Sequence, residues 1–321
     1  MAVCLVTGGA GFIGSHLVEA LVERGQRVRV LDNFSTGNRS NLDAVQQQVE
    51  LIEGDITDLE TVRRATRGAE VVFHQAALAS VPRSVANPLA THRACVDGTL
   101  NILVAARDAG VRRVVYAASS SAYGNSQRLP KAETDPTAPL SPYAVAKLAG
   151  EQYCAAFSEV YRLETVRLRY FNVFGPRQSP ESAYAAVIPL FIQAMTAGRR
   201  PGIHGDGTQS RDFTFIADVI QANLLAAEVQ GVSGRVYNVA CGRRTTLLDL
   251  VGHINGLLGT RIQPTHSAPR PGDVQHSQAD IERACTDLGY RPTTDVPTGL
   301  RLCLEWWRET QPSRSRGVAV A

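Results

Sequence analysis

Tyr143 and Lys147 stand four residues apart in this 321-residue sequence and are its best-suited pair for acid–base chemistry. In a helix that spacing places both side chains on one face. A free phenol titrates near ~10, and an ammonium beside it lowers that value towards neutrality, which makes a usable general base. Composition sharpens the pairing. Of 33 basic residues only two are lysines, Lys131 and Lys147, a scarcity that reads as coding bias. Arginine could supply the charge, but its planar fork cannot replace a single-point ammonium. Lys131, in a polar loop after Pro130, suggests no role.

Ser119, Ser120 and Ser121 end the strand-like run Val114–Ser119. A hydroxyl at the carboxyl end of a central strand points into the crevice where α/β sheets bind ligands. Ser119 could there share a hydrogen bond with a substrate alcohol and the Tyr143 phenol. A second constellation opens the chain. Gly8, Gly11 and Gly14 lie between a strand and a helix. Glycines there let the backbone approach a pyrophosphate, and the helix start offers free N–H groups around Phe12 and Ile13. Asp32 ends the second strand, where a carboxylate can hold both adenine-ribose hydroxyls and repel a 2′-phosphate. NAD is therefore expected, with Arg39 the feature that keeps NADP in view. Asp55 and Ile56 follow the third strand and suit adenine contact or a plain strand-end cap.

These residues need elements to position them. Strand-like runs fall at Val3–Thr7, Val28–Asp32, Val49–Gly54, Val71–Gln75, Val114–Ser119 and Thr165–Phe171, with amphipathic stretches Ile13–Arg24, Pro88–Ala109 and Pro142–Tyr161 between them. Such alternation predicts an α/β fold, a Rossmann-type doubly wound parallel sheet. After Phe171 the rhythm breaks. One helix is expected near Ala186–Ala197. Phe213–Ile216, helix Ala217–Val229 and strand Val236–Ala240 read as a return to the sheet, followed by helices Thr246–Leu258 and Thr298–Arg308 and the loop Pro264–Asp273. The expected division is a dinucleotide-binding domain over 1–171 with its return segment at about 213–240. A smaller interleaved C-terminal substrate region covers 172–212 and 241–309, and 310–321 reads as a frayed tail.

The composition excludes several classes. With 44% hydrophobic and 20% charged residues and a net charge of +3, the chain suits a globular protein and not a nucleic-acid binder. No apolar run reaches the ~18 residues of a membrane span. The N-terminus enters a strand at once, with no secretory pattern. Six scattered cysteines fit reduced thiols in a cytoplasmic protein, and the histidines offer no ligand-spaced pair, so no metal is expected.

Together the N-terminal glycines, the Ser–Tyr–Lys set, the segment Arg169-Tyr170-Phe171-Asn172-Val173-Phe174-Gly175 and Arg211-Asp212-Phe213 resemble the extended short-chain dehydrogenases, and more closely the nucleotide-sugar 4-epimerases. The resemblance covers residues 1 to about 309. It implies a tightly held NAD, a UDP-sugar substrate and a homodimer, formed through Pro88–Ala109 and Pro142–Tyr161. Tyr143, aided by Ser119, would take the proton of the 4-hydroxyl. The C4 hydride would pass to NAD, and the 4-keto sugar would turn over and take it back on its other face. By motif position Ser121 joins the catalytic set. Asn33, Gly37, Gln75, Ala76, Ala77 and Tyr170 join the cofactor set. Ser80, Ser120, Asn172, Ala186, Val187, Arg211, Arg270, Asp273 and Ser277 would meet the substrate.

The chain also departs from the family pattern. Cys95 stands where the family usually has Asn, and it cannot replace the donor and acceptor of an amide. Dehydratase relatives carry Asp-Glu where this chain has Ser120 and Ser121, which argues against dehydration. In the resemblance, a small residue after Arg270-Pro271-Gly272-Asp273 admits a 2-N-acetyl group, and Ser277 and Ala186 are both small. UDP-N-acetylglucosamine is therefore the expected main substrate, with UDP-glucose and a uronic-acid derivative as alternatives. A net oxidoreductase and a non-catalytic NAD sensor are rivals of other classes. The intact Tyr143–Lys147 pair argues against the sensor.

Overall fold

The computed structural model describes residues 3–181, 186–269 and 274–310. Its first half alternates strand and helix: β1 (Val3–Thr7), α1 (Phe12–Glu23), β2 (Arg27–Asp32), β3 (Val49–Glu53), α2 (Leu59–Thr66) and β4 (Ala69–His74). Then come α3 (Val81–Ala86), α4 (Pro88–His92), α5 (Gly98–Asp108), β5 (Arg113–Ser119), α6 (Pro142–Tyr161) and β6 (Glu164–Tyr170). The second half holds β7 (Val173–Phe174), α7 (Val187–Thr196), β8 (Gly202–His204), β9 (Ser210–Arg211), β10 (Thr214–Phe215), α8 (Ile216–Glu228) and β11 (Arg235–Val239). It closes with β12 (Thr245–Thr246), α9 (Leu247–Leu258), β13 (Thr265–Ser267) and α10 (Val296–Thr310).

Seven strands form one sheet in the order β11-β6-β5-β4-β1-β2-β3, every pair parallel. Burial on both faces explains why β1, β4 and β5 read as nearly unbroken apolar runs. The order reverses between β1 and β4, and this switch point places a crevice at the carboxyl ends of those two strands. One apolar cluster packs α1 and α8 against one face of the sheet, and a second packs α2, α5 and part of α6 against the other.

Three local expectations need correction. Phe213–Ile216 does not rejoin the main sheet. Thr214–Phe215 pairs instead with Val173–Phe174, where Phe174 packs edge-on against Phe213 and Phe215. The edge of the main sheet is taken by β11, beside β6. The stretch from Pro264 is not all loop, because Thr265–Ser267 pairs with Gly202–His204. Pro88–Ala109 is not a uniform helix, since a π-turn at Arg93–Asp97 joins α4 to α5. Such turns insert one residue and often mark functional sites; here it carries Cys95 and Val96 inward.

Lys131 is also not a free polar-loop residue. It is buried, its Nζ donates to Ser126 O at 2.8 Å, and its backbone bonds Gln278 and Asp280. All six cysteines are free thiols. No described helix is long and apolar enough to cross a membrane, and no group of three potential metal ligands occurs among the described residues.

Candidate active site

The loop after β1 is built for close approach. The Gly11 N–H donates to Gly8 O at 3.0 Å, and the Ser15 N–H to Gly11 O at 3.0 Å, so the turn runs directly into α1. Gly8 has φ +68°, and a Cβ there would lie 2.7 Å from the Ala76 backbone. A Cβ on Gly14 would lie 2.1 Å from Gly8 O. At Gly11 a Cβ would meet only Gly8 O, at 3.1 Å, leaving its other side open. Gly11 is also the N-cap of α1 and offers no side-chain cap. The N–H groups of Phe12 and Ile13, in the first turn, are therefore left for an anion. Gly37 packs on this loop, where its Cβ would sit 2.9 Å from the Ala10 carbonyl carbon.

Asp32 ends β2 and is buried. Its Oδ2 accepts from Ala10 N–H at 2.9 Å and its Oδ1 from Phe34 N–H at 2.8 Å. Burial pushes its carboxyl above the usual range. Each oxygen keeps a second lone pair. Asn33 donates to Asp55 Oδ2 at 2.6 Å, joining two residues expected at the adenine end. Burial raises Asp55, but its bonds from Thr57 and Asn33 outweigh that and hold it below the usual range. Ile56 belongs to the core beside Gly98. Arg39 is ion-paired with Glu53 and lies over the Phe34 ring, 4.0 Å from its centroid. A 2′-phosphate would have to compete with Glu53 for the Arg39 charge. A glycine cradle, a helix start without a side-chain cap and a carboxylate with lone pairs to spare fit NAD.

Across the crevice, Tyr170 Oη accepts from Gln75 Nε2 at 3.1 Å and from Asn223 Nδ2 at 2.8 Å. Burial pushes the Tyr170 phenol up to about 12. The Ala76 N–H donates to Thr7 Oγ1 at 3.3 Å, and Ala77 packs with Cys95, Val96 and Ala146.

Ser141 caps α6, accepting from Ala144 N–H at 3.1 Å, and Pro142 occupies the first turn. This start places Tyr143 one turn before Lys147. Ser119, the last residue of β5, lies close to Tyr143 and 2.8 Å from Ser121 Oγ. Ser120 opens the short 3₁₀ turn Ser120–Tyr123. The ionisation differs from expectation. Burial pushes the Tyr143 phenol well up, Cys95 adds to this, and the nearby Ser119 hydroxyl pulls it back only in part. Burial likewise pulls Lys147 below its usual value. Desolvation disfavours the phenolate in the chain by itself. Cys95 is buried, and burial raises its thiol.

On the far side, a cavity of ≈ 290 Å³ is lined by Asn172, Ala186, Val187, Arg211, His204 and Gln209, among others. Asn172 has φ 33°, a region Asn tolerates, and its Nδ2 donates to Asp212 O at 3.3 Å. Arg211 Nη1 donates to Ser210 O at 3.0 Å and Gln275 O at 3.3 Å. Ser277 is buried, its N–H on Ser210 O at 3.0 Å, and is not among the described residues lining this cavity. Ser80 caps α3 by accepting from Arg83 N–H at 3.2 Å. Arg270, Asp273 and the tail beyond Thr310 lie outside the described residues.

Sequence reasoning missed a buried chain under the crevice. Ala76 N–H donates to Thr7 Oγ1, Thr7 Oγ1 lies 2.7 Å from His74 Nδ1, His74 Nε2 lies 2.9 Å from Thr99 Oγ1, and Thr99 Oγ1 donates to Cys95 O at 2.8 Å. An N–H can only donate and a carbonyl can only accept. The ends of the chain therefore assign the His74 proton to Nε2. Burial, then the Lys147 charge, pulls His74 down to about 3. Tyr116 and Asn223 were missed as well, because each sits in an apolar run that periodicity reads as core.

The parallel sheet, the glycine turn with Asp32, and Ser119, Tyr143 and Lys147 on adjoining elements define an NAD-dependent enzyme of the extended short-chain dehydrogenase class. The model of the NAD dependent epimerase/dehydratase family matches residues 4–240, and the chain belongs to that family. It is 39% identical over 308 residues to the UDP-glucose 4-epimerase of Mycolicibacterium smegmatis, covering 95% of this chain and 98% of that protein. Among solved structures, it resembles the UDP-N-acetylglucosamine 4-epimerase of Methanobrevibacter ruminantium M1 in complex with UDP-N-acetylmuramic acid. There the TM-score is 0.93 and the identity 39%, over 97% of this chain and 99% of the other. The Thermotoga maritima UDP-glucose 4-epimerase with UDP-glucose gives a TM-score of 0.92 at 38% identity, covering 96% and 99%.

Proposed function

We propose that this enzyme inverts C4 of a UDP-hexose, with UDP-N-acetylglucosamine and UDP-N-acetylgalactosamine as the main pair. The observation that carries the reading is the placement of Ser119, at the carboxyl end of β5, close to Tyr143, which itself lies one helical turn before Lys147 on α6. Tyr143 takes the 4-hydroxyl proton through its phenolic oxygen, and Ser119 holds both that oxygen and the sugar alcohol. Lys147 supplies positive charge to the phenol and a donor to a cofactor ribose. Gly8, Gly11, Gly14, Phe12 and Ile13 hold the pyrophosphate, and Asp32 the adenine ribose. NAD, when bound, supplies the hydride acceptor for C4 and a positive charge that favours the phenolate.

Residues 172–212 and 241–309 serve as the substrate region. Asn172, Arg211, Arg270 and Asp273 hold the UDP part, the arginines through bidentate contacts to diphosphate. Ala186, on the cavity wall, supports room for an N-acetyl group. The UDP-glucose 4-epimerases at 38–39% identity favour UDP-glucose as the second reading. Purified enzyme given equal UDP-N-acetylglucosamine and UDP-glucose should convert the former with the larger kcat/KM, and a reversed ratio would make UDP-glucose the substrate.

The protein acts as a homodimer in the cytoplasm in this reading. Val85, Leu89, Val145 and Val160 are large apolar residues more than half exposed on α3, α4 and α6, which supports a shared interface there. Six free thiols suit a reducing compartment.

A further inference from the structure

Lys147 must remain charged while only 4% exposed, and the neighbouring carboxylate favours that charge from a distance without forming an ion pair with it. Glu151, one turn further along α6, gives both oxygens to Arg169, at 2.6 and 2.9 Å. What lies against the ammonium is the ring of Tyr116, whose centroid is 4.3 Å from Nζ. A cation within about 6 Å of an aromatic face is attracted by the ring quadrupole, more strongly when desolvated. Tyr116 is fully buried on β5 and is itself tied to the lysine, since its hydroxyl donates to Lys147 O at 3.1 Å. Gly150 makes the fit, because a Cβ there would lie 2.4 Å from that hydroxyl. Near the ring stands His74, 5.7 Å between centroids, held neutral between Thr7 and Thr99.

We propose that Tyr116 is a positioning residue, whose ring seats the Lys147 ammonium beneath the crevice and keeps it charged beside Tyr143. This rests on the assignment of Lys147 as partner of Tyr143. It does not depend on which sugar is turned over. The titratable or charged groups around Lys147 are His74 on β4, Cys95 in the π-turn, Tyr116 on β5, and Tyr143, Glu151 and Cys154 on α6.

The chain's two lysines make the test direct. Protein labelled with ¹³C at the lysine Cε gives two side-chain signals, assigned by Lys131→Arg. In the unsubstituted protein the Lys147 signal should be shifted upfield by the ring current. Tyr116→Phe keeps the ring and should retain both the shift and kcat within about threefold. Tyr116→Leu should lose the shift, move the Lys147 titration down by at least one unit and lower kcat at least tenfold, with the sugar KM changed less than threefold. An unshifted Lys147 signal in the unsubstituted protein overturns the proposal even if the Leu variant does not fold. So does a folded Leu variant with an unchanged titration, or a Phe variant as impaired as Leu. The signals are read without substrate, so loss of the epimerase reading alone would leave them unchanged.

Discussion

A phenol pushed up by burial is a poor base, and Tyr143 is such a phenol in the chain alone. The spacing of Tyr143 and Lys147 was legible in the sequence, and so was the hydroxyl at Ser119. Their ionisation was not, because it depends on desolvation by residues far apart in the chain. Tyr143→Phe keeps the ring and removes the base, so kcat should fall at least ~10²-fold, the usual scale for general acid–base catalysis. Steady-state kinetics check this, and near-normal turnover would remove Tyr143 from its role. Specificity is a second matter at this scale. Ser277 and Ala186 both read as small, but of these two Ala186 lines the cavity. Ala186→Tyr should cut kcat/KM for UDP-N-acetylglucosamine about tenfold more than for UDP-glucose, within the ~10–200-fold range by which small groups in a pocket are discriminated. Equal losses would refute the steric reading.

Among the elements, the β1–α1 turn was fully readable, since three glycines and a following carboxylate are local signals. Gly14→Ala tests it. Its Cβ would sit 2.1 Å from Gly8 O, a backbone atom that cannot yield cheaply. The variant should lose at least ~2 kcal/mol of stability, within the range for overpacking and backbone strain. Denaturant melts would measure this, together with bound NAD released on denaturation. The buried chain at the end of β4 was not readable, since Thr7, His74 and Thr99 meet only through sheet pairing. His74 has a folded value of about 3, well below the ~6.5 of an unfolded histidine. The unfolded chain therefore takes up the proton first as pH falls. The stability from neutral His74 is present above pH ~6.5 and is lost as pH falls towards 3, with about 2 kcal/mol lost between pH 7 and pH 5. Urea melts at the two pH values, compared with His74→Gln, would isolate it. An equal pH dependence in both proteins would contradict the shift.

At the level of the whole molecule, the alternation of strand and helix gave the parallel sheet, and long-range pairings escaped it. β8 with β13 and β7 with β10 join short, weakly patterned segments whose partners lie far along the chain. Lys131 escaped for the same reason, since its backbone bonds to Gln278 and Asp280, far along the chain. The exposed apolar face of α3, α4 and α6 belongs to this scale as well. Leu89→Arg, at a residue 70% exposed, should leave the fold intact and yield monomers by analytical ultracentrifugation. A dimer of unchanged affinity would place the interface elsewhere.

The central claim is a redox-neutral inversion at one carbon, and an isotope at that carbon tests it most directly. UDP-N-acetylglucosamine carrying deuterium at C4 would be incubated with purified enzyme and no added cofactor, and the product read by mass spectrometry and proton NMR. The account predicts UDP-N-acetylgalactosamine with the deuterium retained at C4. Washout of the label into water, or no product from enzyme shown to hold intact NAD, would contradict it.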